Sequence, residues 1–134
     1  MNQKNQVCTK EQALKLKELG VSQETLWSYF KCPSHAGLCL TEMSVRHVWI
    51  LTGNPYDDED IEITAAFTVA ELGVMLGPLA HYPQHSDRND YWYIYLDKYE
   101  QFKTEAEVRA ATLIYRLEKG AITAAEVNHL LLNA

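Results

Sequence analysis

Residues 91–119, YWYIYLDKYEQFKTEAEVRAATLIYRLEK, change their apolar period part of the way along. From Tyr91 to Leu96 the side chains alternate, as on a strand. Tyr91, Tyr93 and Tyr95 share one face, and Trp92, Ile94 and Leu96 share the other. From residue 105 to 119 the spacing becomes helical: Ala106, Ala110, Leu113, Ile114 and Leu117 follow the i, i+3, i+4, i+7 rule. Thr104 and Glu107 form a capping box at the start of that helix, and Gly120 stops it. A strand and a helix adjacent in sequence, each with one apolar face, should bury those faces together. The expected contact is Ala110, Leu113 and Leu117 against Trp92, Ile94 and Leu96.

Working outward, the same cap chemistry recurs at Thr9–Gln12, Thr68–Glu71 and Thr123–Glu126. It predicts helices over about 9–19, 69–76 and 124–132. Another helix is expected from Ser22 to Lys31, carrying Leu26, Tyr29 and Phe30 and ended by Pro33. Residues 45–52, VRHVWILT, read as a strand, and a short strand is expected at 61–63. The acidic run 57–60 between them reads as a solvated loop. The order of elements is not a strict βαβ alternation. It implies an α+β fold with a small antiparallel sheet of two to three strands covered by about five helices. Residues 1–134 read as a single domain, with residues 1–8 a flexible N-terminus.

Composition narrows the function classes. The chain has 134 residues, 47% of them hydrophobic and 22% charged, with a formal net charge of −6. A chain of this size can bury a core without metal or disulfide. No apolar run approaches the ~18 residues that span a bilayer. No secretory leader is visible in MNQKNQ, which points to the cytoplasm, and an odd number of cysteines fits reduced thiols. Net acidity repels phosphate backbones, so nucleic acid is an unfavoured partner and another protein the expected one. No motif implies a cofactor or a catalytic set.

Three constellations stand out. Cys8, Cys32, His35 and Cys39 form a Cys3His set of the type zinc accepts, although the spacing around KCPSHAGLC is irregular. The bland alternative is ordinary thiols and a loop histidine. A thiol-dependent enzyme is a further reading of the same residues. Residues 12–31 have the outline of a helix-turn-helix, with Gly20 in the turn. In that reading Gln23, Thr25, Ser28 and Lys31 would contact DNA; otherwise the segment is an αα-hairpin used for packing. His81 and His85 flank Pro83 in a solvated loop. The tyrosine stripe Tyr91, Tyr93 and Tyr95 is the expected binding surface, because Tyr suits sites that are dry at one end and wet at the other.

The segments CTKEQALKLKELGVS, AAFTVAELGVMLGP, YWYIYLDKYE and TEAEVRAATLIYRLEKG, in that order, resemble a group of small uncharacterised proteins from phages and mobile elements of gut Bacteroides and relatives. The shared features are a helix start, a helix stop and apolar stripes over most of the chain. The resemblance implies an accessory protein whose scaffold folds without the KCPSHAGLC cysteines. It carries over no catalytic or ligand-binding residue.

Overall fold

Each of the four helices with described bounds begins where a Thr is followed three residues later by Gln or Glu. The computed structural model describes residues 6–31, 38–42, 45, 62–77 and 83–132. Among these, α1 spans Lys10–Glu18, α2 Val69–Leu76, α3 Glu105–Glu118 and α4 Ala124–Leu132. Thr9, Thr68 and Thr104 each accept from the N3 backbone N–H while the N3 side chain accepts from the cap N–H. Thr123 and Glu126 do the same for α4, at 3.2 and 3.3 Å. Two otherwise unpaired donors are satisfied at each start, so local chemistry alone sets four helix boundaries. Gly20 (φ 92°) and Gly120 (φ 75°) take the left-handed conformation just beyond α1 and α3.

Among the described residues the strands form two antiparallel three-stranded sheets rather than the one expected. In the first, β1 (Ser28–Lys31) lies between β2 (Leu38–Thr41) and β3 (Glu62–Ala65). Ser28 pairs with both Thr41 and Ala65. The second is a meander of β4 (Gln84–Ser86), β5 (Tyr91–Tyr95) and β6 (Tyr99–Phe102). The fold is α+β, with four helices among the described residues against the five expected. The strand expected at 45–52 lies outside the described residues except for Val45, which is helical.

The helix expected over residues 22–31 is absent. Residues 21–27 run without helix and lead into β1. Three side-chain anchors hold this stretch extended. The Ser22 N–H donates to Asn128 Oδ1 of α4 at 2.6 Å. Gln23 Oε1 accepts from the Ala65 N–H at 2.8 Å. The Thr25 hydroxyl donates to the Glu71 carboxylate at 2.7–2.8 Å. Val21, Thr25, Trp27 and Tyr29 are buried while Leu26 is 66% exposed. From Glu24 to Trp27 exposure alternates with a period of two, up to the buried Ser28 of β1, and this overrides the helical reading.

Two residues of the N-terminus expected to be flexible, Val7 and Cys8, are packed, and residues 1–5 lie outside the described residues. Val7 bridges Thr68, and the Cys8 N–H donates to the Phe67 carbonyl at 3.0 Å. Both side chains are buried, so order begins before Cys8.

One core cluster joins the helices to the first sheet. It includes Leu16, Trp27, Phe67, Leu72, Met75, Ala106, Ala110, Leu113 and Val127. The expected packing of α3 is therefore corrected. Ala110 and Leu113 sit in this cluster with Leu117 packed against it, and Ile94 is not a member. At about 100° per residue, Ala106, Ala110, Leu113 and Leu117 share one side of the helix, and Val108, Thr112 and Tyr115 lie roughly opposite. Val108 and Thr112 are fully buried as well. On that second side α3 contacts β5 and β6, and the Tyr115 hydroxyl donates to Asp97 at 2.8 Å. The helix is an inner layer between the main core and the second sheet. The Thr112 hydroxyl needs a partner there, and it donates to the Val108 carbonyl at 2.8 Å.

Candidate functional site: a tyrosine-lined sheet face

The β4–β5–β6 sheet has two chemically different faces. Ile94 is 2% exposed on the face toward α3, with Trp92 and Phe102 half-buried on the same face. The other face is built from β5 alternation and its cross-strand partners. Tyr91 pairs with Ser86, Tyr93 with Gln84 and Gln101, and Tyr95 with Tyr99. The three expected tyrosines thus share a face, as alternation requires. Tyr99 joins them from a strand that the sequence reading did not identify. Tyr95 is 67% and Tyr99 40% exposed.

The rings are coupled. Centroids are 5.9 Å apart for Tyr91 and Tyr93, 5.8 Å for Tyr93 and Tyr99, and 5.1 Å for Tyr95 and Tyr99, all tilted. Such tilted pairs suit the ring quadrupoles. The hydroxyls are also tied. Tyr93 donates to Gln84 Oε1 at 2.9 Å, Tyr99 to the Tyr91 hydroxyl at 3.4 Å, and Gln101 Nε2 to the Tyr99 hydroxyl at 2.8 Å. Hydrogen bonding with Tyr99 pushes the Tyr91 hydroxyl above the ordinary phenol range. The side chains on this face are phenols, amides and a serine hydroxyl, with no charge among them.

The edges of the sheet are charged. At one end Asp97 accepts from Tyr115 and pairs with Lys119 at 3.2 Å. The Tyr115 bond, then Lys119, holds the Asp97 carboxyl below its usual range. At the other end His85 meets two carboxylates. Its Nδ1 is 3.0 Å from Asp87 and its Nε2 3.1 Å from Asp90. The ring also lies 4.9 Å from Trp92. His85 therefore belongs to a strand and its turn, not to a solvated loop; His81 lies outside the described residues. A histidine followed at i+2 and i+5 by Asp, across the turn-rich DRND, was the available signal.

The other candidates fare differently. The residues that would contact DNA in the alternative helix-turn-helix reading have no recognition helix. Gln23 and Thr25 are engaged internally, Ser28 is fully buried, and Lys31 ends β1. Of the formal zinc set, Cys32 and His35 lie outside the described residues, and Cys39 is placed only as a backbone position in β2. Cys8 is sealed in the core, where burial pushes its thiol up to about 12. A protonated, inaccessible thiol is neither a nucleophile nor a metal ligand. Among the described residues no group of three or more His, Cys, Asp or Glu could hold a metal ion. No described helix is long and apolar enough to cross a membrane.

This environment predicts the behaviour of Cys8. In a Cys32→Ser/Cys39→Ser protein at pH 8, a thiol reagent should label native Cys8 at least about a thousandfold more slowly than an exposed thiol. That is the ratio of thiolate fractions for pKa values near 12 and 8.5, before any loss of access. Labelling at the exposed-thiol rate without unfolding would show that Val7 and Cys8 are not packed as described.

No protein-family model matches the chain, and neither a curated protein nor a solved structure matches it.

Proposed function

We propose that this protein is a non-enzymatic accessory protein that binds another protein through the tyrosine face of β4–β5–β6, in the phage or mobile-element setting its sequence resemblance implies. One observation carries the reading: a continuous, uncharged phenol-and-amide face stands open in a chain bearing 12 basic and 18 acidic residues. Tyr presents large contact area with few rotatable bonds, and amides and hydroxyls adapt to a partner's polar groups. Here the rings rest on strands and the hydroxyls of Tyr91, Tyr93 and Tyr99 are already tied. Less side-chain entropy is therefore lost on binding than from a mobile loop. The net charge of −6 disfavours a nucleic-acid partner for the same face.

The test compares wild type with a Tyr95→Ser/Tyr99→Ser protein in a pull-down from the source cell. A defined partner retained by wild type and lost by a variant that still unfolds cooperatively, with a stability loss of no more than about 3 kcal/mol, is the expected result. Identical retention by both proteins would sink the reading.

A further inference from the structure

The His85 contacts have a chemical requirement. A neutral imidazole carries one N–H, so it can donate to one carboxylate and must turn a lone pair toward the other. With Nδ1 3.0 Å from Asp87 and Nε2 3.1 Å from Asp90, both contacts are favourable together only for the imidazolium. These two carboxylates raise the His85 pKa above the ordinary value, Asp90 contributing first.

Residues 87–90 connect β4 to β5, the Asp90 N–H donates to the Ser86 carbonyl at 2.9 Å, and Asp90 has φ 49°. A left-handed non-glycine residue is tolerated best when its short polar side chain is engaged, as the Asp90 carboxylate is here. Strand β4 has three residues, and its central one is His85, paired with Trp92. The residues either side of it, Gln84 and Ser86, belong to the tyrosine face. Few groups compete for the imidazolium. Arg88 lies in the turn. On the His85 face, β5 presents Trp92 and Ile94, and β6 presents Phe102 and Glu100. The Tyr115 hydroxyl of α3 and the ammonium of Lys119, just past the helix, act at the Asp97 end.

We infer that protonation of His85 locks β4 onto the sheet, and that its loss releases β4 and withdraws Gln84 and Ser86 from the tyrosine face. This regulation rests on the reading of that face as a binding surface. The sign follows from the raised pKa. The stabilisation is fully present below the ordinary histidine value, near 6.5, and is lost as pH rises through the higher value of the folded state. Partner binding is then stronger on the acid side of that transition.

The experiment is an NMR titration of the free 134-residue chain from pH 5.5 to 9. The His85 ring should titrate with a midpoint above 6.5, and the Gln84 and Ser86 amides should shift and lose exchange protection with that same midpoint. In an Asp87→Asn/Asp90→Asn protein the His85 midpoint should fall to about 6.5 and the co-titration of β4 should vanish. Asn keeps the left-handed turn position, so this variant retains the hairpin. A His85 midpoint at the ordinary value in wild type overturns the inference. So does a raised midpoint with β4 amides that stay protected and unshifted to pH 9. No partner enters this readout, so its failure is separable from failure of the Tyr95→Ser/Tyr99→Ser pull-down.

Discussion

Phe67→Ala should lower stability by about 3–5 kcal/mol, a large share of the ~5–15 kcal/mol of an ordinary domain. Phe67 is fully buried in the main core cluster. Its carbonyl accepts from the Cys8 N–H, and it directly precedes the Thr68 cap of α2. The ring therefore sits where the N-terminal segment, the exit of β3 and the start of α2 meet. Truncation removes its transfer free energy and leaves a cavity that three tethered elements cannot easily close. Urea unfolding gives the comparison, and a loss under about 1 kcal/mol would show that the junction is not packed as described.

Leu113→Ala should cost about 2–5 kcal/mol, whereas Tyr95→Ala, which loses one exposed ring pair, should cost no more than about 1.5 kcal/mol. Leu113 is fully buried and Tyr95 is 67% exposed. The inner-layer position of α3 adds a sharper test. Val108 is fully buried on the opposite side of the helix and lies outside the cluster that holds Leu113. Losses from Val108→Ala and Leu113→Ala should add to within about 0.5 kcal/mol in the double mutant. Strong coupling would mean that both side chains share one core.

The helices were legible because their starts are local. Four Thr-x-x-Gln/Glu boxes predict four helices, and all four form. The one expected helix that fails lacks such a box, since Ser22 is followed at the third position by Thr25. Its extended course depends on Asn128, Ala65 and Glu71, partners 40 or more positions away in sequence. No local rule reveals them, although the alternation of Val21, Thr25, Trp27 and Tyr29 was there to be weighed. The packing of α3 was misread for a related reason. Its apolar stripe was recognised, but the second buried side, Val108 and Thr112, contains a Thr that is tolerated only because it bonds its own helix. The tyrosine face followed from alternation in β5. Its completion by Gln84, Tyr99 and Gln101 required the pairing register, which one strand cannot supply.

The hydrogen bonds around β3 have a consequence for the protein's behaviour at high concentration. The Ala66 N–H donates to the Trp27 carbonyl, so by antiparallel parity residues 62, 64 and 66 turn toward β1, and 63 and 65 turn away. Two of those four outward groups are occupied: the Ile63 carbonyl accepts from Lys17 Nζ at 2.9 Å, and the Ala65 N–H donates to Gln23 Oε1. A strand margin left open is a template onto which a second chain can zip, the first step of amyloid-like growth. Here an ammonium group from α1 and an amide from the extended segment act as stoppers, each filling one vacancy in the ladder. Gln23, once a candidate for reading bases, helps keep neighbouring molecules of the protein apart.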